Sequence, residues 1–202
     1  MEAIKPVRAI TGDEAQVRNV NLPNFLTFSR ILLIPVFVVL FSTPTTDRSL
    51  WAAFVFVVAA VTDVLDGYVA RRSGQITKLG RLLDPVADKL LVLSGLFLLV
   101  GLGQVPAWVA IVITGRELAV TGVRAIAASV GVIIPVEKLG KYKMVFQVIA
   151  ITGLILANTD LPGVTVFYGL GMAFLYLALV LGVVSGAKYL MSFWEQVALK
   201  GL

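Results

Sequence analysis

The chain contains neither cysteine nor histidine. Without cysteine there is no disulfide to staple the fold and no thiolate nucleophile. Without histidine, zinc and copper lose their usual ligand, so any metal held here is bound by oxygen, which favours Mg²⁺ or Mn²⁺. Charge is scarce too: 14% of the 202 residues are charged, against roughly 25% in an ordinary soluble domain, while 58% are hydrophobic. No long internal repeat or low-complexity segment stands out. Such a composition is hard to keep in water.

What is present is apolar sequence in long runs. Stretches of about 17–25 apolar residues read as transmembrane helices, and six are found: Asn24–Phe41, Leu50–Ala70, Leu82–Leu102, Val105–Ala128, Lys141–Ala157 and Val164–Ala187. The expected fold is an all-α integral membrane protein with six transmembrane helices in one domain over residues 22–202. Short connections make consecutive helices antiparallel neighbours. Residues 1–21 are mixed polar and form an N-terminal cytoplasmic extension, either a tail or a short surface-lying helix, and lack the apolar core of a signal peptide.

Lysine and arginine set the orientation. Lys5, Arg8 and Arg18 precede the first helix; Arg71, Arg72, Lys78 and Arg81 surround the second–third connection; Lys138, Lys141 and Lys143 surround the fourth–fifth; Lys188 and Lys200 close the chain. The three opposite connections hold only Arg48. By the positive-inside bias, both termini face the cytoplasm. The net charge of +5 is this bias plus attraction to anionic membrane lipids, and implies no nucleic acid.

Against that background, "TDVLDGYVARRSGQITKLGRLLDPVADKLL" (Thr62–Leu91) carries four of the chain's 12 acidic residues: Asp63, Asp66, Asp84 and Asp88. A mid-membrane Asp costs about 2.5–3.5 kcal/mol on insertion scales. At 1.5 Å per residue, Asp63 and Asp88 each lie roughly 10–12 Å inside the cytoplasmic end of their helix. At 100° per residue, Asp63, Asp66, Gly67 and Ala70 form one stripe, and Gly80, Asp84 and Asp88 form a second. Small residues beside the acids leave room for a ligand or for another helix. Ion pairing with Arg71, Arg81 or Lys89 would satisfy one or two of the acids, but not four. Protonation would relieve their repulsion, and so would two divalent cations, which match four carboxylates in charge and suit phosphoryl transfer.

The pattern D-x-x-D-G-x-x-A-R, eight residues, then G-x-x-x-D-x-x-x-D resembles the signature of the CDP-alcohol phosphotransferase family at every fixed position. That resemblance implies a six-helix membrane enzyme, commonly a homodimer, with its active site open to the cytoplasm. It displaces CMP from a CDP-linked lipid with a second alcohol, using Mg²⁺ or Mn²⁺ in a two-metal site. Carried over, Asp63, Asp66, Asp84 and Asp88 become metal ligands, and Asp88 is also the candidate general base. Gly67, Ala70, Arg71 and Gly80 border the CDP group, with Asn24 and Thr27 as further nucleotide contacts. Arg30, at the same three-residue spacing, either joins them or snorkels to the headgroups.

The stretches "NLPNFLTFSRILLIPVFV" (Asn21–Val38), "LLDPVADKLL" (Leu82–Leu91), "GRELAVTGVR" (Gly115–Arg124) and "KLGKYK" (Lys138–Lys143) resemble the branch that joins CDP-diacylglycerol to glycerol 3-phosphate. Met1–Val20 lies outside that likeness. An acceptor carrying its own phosphate fits the residues themselves: Arg116 lies well inside the fourth span, Arg124 two turns on, and Lys141 opens the fifth. Together they would form a cationic pocket for one phosphate. The structural alternative is that Glu117 and the aspartates pair with these cations. Glu117 is adjacent to Arg116, so the two are expected not to face each other on their helix, leaving Glu117 to brace a neighbour. Gly182 and Gly186 are expected to serve helix packing.

Two other functions fit less of the sequence. A sister enzyme would use serine, inositol phosphate or phosphatidylglycerol as acceptor. An ion-coupled transporter would spread its acids along a route through the membrane, whereas these crowd into one half. Asp84→Asn and Asp88→Asn are expected to abolish metal-dependent CMP release while leaving folding intact. Full turnover in either variant overturns the metal-ligand assignment.

Overall fold

The computed structural model describes the backbone of residues 22–73, 78–131 and 138–200, and the side chains of 29–62, 87, 89–131, 140 and 142–197. The connections 74–77 and 132–137 and the extension 1–21 lie outside the described residues.

Six helices follow one another: α1 (Leu22–Ser42), α2 (Thr46–Ser73), α3 (Lys78–Gly101), α4 (Ala107–Ser129), α5 (Lys138–Leu156) and α6 (Val164–Lys200). No strand occurs among the described residues. Each helix covers an apolar run, because a backbone with no polar side chains to bond to must satisfy its own N–H and C=O groups. The breaks fall where the local chemistry requires them. Gly103 and Gly131, just past α3 and α4, take φ of +70° and +67°, a left-handed turn that costs a side chain-bearing residue more. Pro106 then precedes the first residue of α4 in an extended conformation. α6 departs furthest from expectation. It runs to Lys200, well past Ala187, and its 37 residues make a rod about 55 Å long.

α1, α2 and α3 pack against one another; α5 lies along α6 and also touches α2 and α3; α4 bridges α3 and α6. Phe37 and Phe41 of α1 meet Phe56 of α2, with the Phe37 and Phe56 rings 5.3 Å apart. A methyl group built at Gly95 of α3 would lie 3.3 Å from Phe56 and 2.9 Å from Ile151 of α5. Phe56, Gly95 and Ile151 therefore mark one level at which α2, α3 and α5 converge. Leu96, Leu99, Leu154, Ile155 and Leu175 complete a fully buried apolar interior.

The outside is apolar as well. Val39, Phe54, Phe97, Ile111, Val145 and Val180, one from each helix, are all exposed. Large exposed apolar surface on every element is the signature of a molecule solvated by something other than water. Among the described residues, α6 is the helix long and apolar enough to cross a membrane; shorter apolar segments cover Ser29–Ser42, Lys89–Gly101 and Tyr142–Leu156.

α5 and α6 meet at their closest through glycine. A methyl at Gly153 would come 3.3 Å from the Phe167 carbonyl oxygen and 3.4 Å from the Gly171 Cα; one at Gly171 would come 2.8 Å from Leu154 Cγ and 3.1 Å from the Ala150 carbonyl oxygen. Gly171→Ala is expected to destabilise the protein by about 1–3 kcal/mol through overpacking. Gly169→Ala, whose added methyl meets nothing within 4 Å, should be neutral or gain up to about 1 kcal/mol of helix propensity. Thermal unfolding in detergent checks this, and equal melting temperatures for the two variants would refute the close crossing.

Candidate active site

The backbone carries Asn24 and Thr27 on α1; Asp63, Asp66, Gly67, Ala70 and Arg71 on α2; Gly80, Asp84 and Asp88 on α3; and Lys141 on α5. Their side chains lie outside the described residues. Helix register nevertheless relates these positions to residues that are described. On α2 the buried residues Ala52, Phe56, Ala59 and Ala60 recur at three- and four-residue intervals, and Asp63, Asp66 and Ala70 continue the series. On α3 the buried residues Ala87, Leu91 and Leu99 mark the inner register, to which positions 80, 84 and 88 also belong.

Levels along the bundle follow from the same reference point. Asp63 lies seven residues beyond Phe56, and Asp88 seven residues before Gly95, so each position is about 10 Å from the Phe56–Gly95–Ile151 level. The short 74–77 connection puts both displacements on the same side. On α5, Lys143 lies eight residues before Ile151, about 12 Å toward that same end of the bundle. Three helices thus bring ionisable positions to nearly one depth.

At that depth the described side chains form a charged cluster between α4, α5 and α6. Arg116 of α4 donates from Nε to the Gly182 carbonyl oxygen at 2.8 Å and from Nη2 to Ser185 Oγ at 2.8 Å. Its Nη1 reaches Glu117 Oε1 at 3.0 Å. The same carboxylate oxygen accepts a hydrogen bond from Lys143 Nζ. Glu117 thus bridges a cation on its own helix and one on α5, and all three side chains are largely withdrawn from the surface. The three bonds leave one N–H on each terminal nitrogen of Arg116 unengaged among the described residues.

One sequence expectation changes here. Glu117 does contact Arg116, despite the roughly 100° between adjacent helical residues, because the long guanidinium arm swings back over its neighbour. It braces Lys143 as well, as expected of it. The described lysine at the Arg116–Glu117 pair is Lys143. Lys141, two positions earlier and about 200° around the helix, has its side chain outside the described residues. In the sequence alone, Lys143 counts only as one of the cytoplasmic charges.

The glycine pair of α6 does serve packing, though against side chains. A methyl at Gly182 would lie 3.3 Å from Lys143 Cδ, and one at Gly186 would lie 3.1 Å from Arg116 Cγ. The glycines make room for the stems of two cations. Arg124, a further two turns along α4, is exposed and places its guanidinium carbon 5.7 Å from the ring centroid of buried Tyr189. Lys89, the residue after Asp88, donates to Thr121 Oγ1 at 2.7 Å, linking α3 to α4. Arg30 is wholly buried in α1, so it does not snorkel. Neither the Lys89–Thr121 link nor the Tyr189 contact was legible in sequence, since both depend on which faces of neighbouring helices meet.

At the opposite end, polar groups serve the connections. Gln104 and Asn158 exchange hydrogen bonds at 2.8 and 3.1 Å, Thr46 bonds Asp160, and Tyr168 Oη donates to the Gln104 carbonyl oxygen at 3.2 Å.

Comparison with known proteins places the sequence in a family. The CDP-alcohol phosphatidyltransferase family profile matches residues 20–184. A protein of Bacillus subtilis (strain 168), named CDP-diacylglycerol–glycerol-3-phosphate 3-phosphatidyltransferase, is 41% identical over 187 residues, covering 87% of this chain and 96% of its own length. Proteins of the same name are 40% identical over 187 residues in Pseudomonas fluorescens, covering 90% of this chain and 94% of theirs, and 37% identical over 169 residues in Rickettsia typhi, covering 84% and 94%. With its signature positions on two adjoining helices and a match that takes in 165 of its residues, from 20 to 184, this chain belongs to the CDP-alcohol phosphatidyltransferase family.

Proposed function

We propose that this protein transfers the phosphatidyl group of CDP-diacylglycerol to glycerol 3-phosphate, giving phosphatidylglycerol phosphate and CMP. The observation that carries the reading is the common depth of the acidic positions on α2 and α3 and the Arg116–Glu117–Lys143 cluster. A donor that brings a pyrophosphate and an acceptor that brings a phosphate need just such a pairing of acidic ligands with cations. Relatives of that name matched along nearly their whole length support the same conclusion.

The setting we infer is a bacterial cytoplasmic membrane crossed six times, both termini and the active site facing the cytoplasm, with two copies forming a homodimer. Exposed apolar residues on all six helices and the Lys and Arg bias toward one side support that placement.

In this reading Asp63, Asp66, Asp84 and Asp88 hold two divalent ions, Mg²⁺ or Mn²⁺. The donor set fits: it consists of carboxylate oxygens alone, in a chain without histidine or cysteine. When bound, the ions supply the counter-charge that a pyrophosphate needs and ease departure of CMP. The chain's own residues do the rest. Asn24, Thr27, Gly67, Ala70, Arg71 and Gly80 border the CDP group. Arg116, Arg124 and Lys141 hold the acceptor phosphate, with arginine suited to bind two of its oxygens at once. Asp88 takes the proton of the acceptor hydroxyl as that oxygen bonds to the phosphatidyl phosphorus and the bond to the CMP oxygen breaks. Glu117 offsets one of the two cations it touches.

Purified protein supplied with Mg²⁺ or Mn²⁺ is expected to release CMP from CDP-diacylglycerol only when glycerol 3-phosphate is present. Losing a charge-assisted hydrogen bond in Arg116→Ala or Arg124→Ala should raise KM for glycerol 3-phosphate by about 10- to 100-fold. A preference for serine, inositol phosphate or phosphatidylglycerol in an acceptor panel, with both variants silent, would overturn the choice of acceptor.

A further inference from the structure

The buried stripe of α6 does not stop where the apolar run or the family match stops. Gly171, Leu175, Ala178, Gly182, Ser185, Gly186 and Tyr189 are buried in unbroken helical rhythm, and Ser185 and Tyr189 lie beyond residue 184. Above Ala178 this stripe packs on α5. Beyond it, Gly182 still meets the Lys143 stem of α5, and the stripe receives the two arginines of α4 in order: Arg116 against Gly182, Ser185 and Gly186, then Arg124 against Tyr189. Contacts that ascend together on both helices mean that α4 and α6 run parallel here.

Each arginine meets a group suited to fix its plane. The Ser185 hydroxyl donates its proton to the Gly182 carbonyl oxygen at 3.2 Å, which leaves its lone pairs to accept from Arg116. Arg116 is thereby gripped at Nε and Nη2 by two atoms that are already bonded to each other. Gly186 has no side chain to obstruct the stem. Tyr189 offers Arg124 an aromatic face within the roughly 6 Å at which a cation is attracted to a ring. Its own burial holds that face still, whereas Arg124 is exposed. An exposed guanidinium with many rotamers must otherwise give up that freedom when an anion binds.

We infer that Ser185 and Tyr189 are positioning residues that preset Arg116 and Arg124 for the acceptor phosphate, so that α6, which supplies none of the site residues named above, sets affinity for the acceptor. This rests on the reading that the two arginines bind that phosphate. The contribution should appear in KM for glycerol 3-phosphate and leave kcat and KM for CDP-diacylglycerol nearly unchanged.

The test uses the full-length protein in detergent, with CMP release measured against glycerol 3-phosphate at saturating CDP-diacylglycerol. Tyr189→Leu should raise KM for glycerol 3-phosphate by about two- to fivefold, and Tyr189→Phe, which keeps the ring face, should stay near the parent value. Ser185→Ala should act like Tyr189→Leu, with Ser185→Thr restoring the parent value. In an Arg124→Ala background, Tyr189→Leu should add no further loss, because its effect passes through that arginine. Additive effects, or equal weakening for both substrates, would overturn the proposal. If Arg124→Ala raises KM and Tyr189→Leu does not, the seating role alone falls; if Arg124→Ala is itself silent, the phosphate-binding reading falls with it. Should Tyr189→Leu not fold, the Ser185→Ala and Ser185→Thr pair decides the matter through Arg116.

Discussion

Glu117 carries a carboxylate into a helical bundle whose outer surface offers charge no solvent. The cations it meets come from α4 and α5, and α6 packs against both of them. Ions so placed are tolerable only when each is paired and its remaining polar atoms are bonded, since taking a charge out of water costs several kcal/mol even after relaxation. That requirement fixes the mutual rotation of three helices. Turning any one of them by a single residue would strand a charge in apolar surroundings, so the cluster specifies the inner end of the bundle more strictly than fitting of apolar side chains would.

The outer and inner halves of α6 meet this demand in different ways. In the outer half, Gly153 and Gly171 let two backbones touch, and the contact is dry and apolar. In the inner half, Gly182 and Gly186 have the same spacing that invites helix–helix approach, yet the space they free is filled by the stems of Lys143 and Arg116. A small residue on a membrane helix creates volume; whether a neighbouring helix or a long side chain fills it depends on what faces it across the gap.

Much of this was legible in the sequence. The six helices follow the six apolar runs because hydropathy and helix length are local properties. The acidic stripes on α2 and α3 needed only the 100° repeat, and the described residues of those helices continue the same registers. What escaped was the end of α6, since Lys188, Ser192 and Glu195 dilute the apolar run although the helical backbone continues. Also hidden was that Lys143 would meet Glu117 beside Arg116, since only the docked position of α5 decides which neighbour that lysine reaches. Adjacency likewise misled for Arg116 and Glu117, because spacing rules describe Cβ atoms and not the reach of a guanidinium.

α6 is a single uninterrupted helix whose residues are bonded at both ends of the bundle: Tyr168 to the 102–106 connection, Tyr189 to Arg124. It contains no proline. A strut without a joint transmits displacement along its length, so the outward-facing turns and the seat of the arginines behave mechanically as one piece. Whatever squeezes, stretches or tilts that strut at one end is felt at the other, where Ser185 and Tyr189 hold the two guanidinium groups.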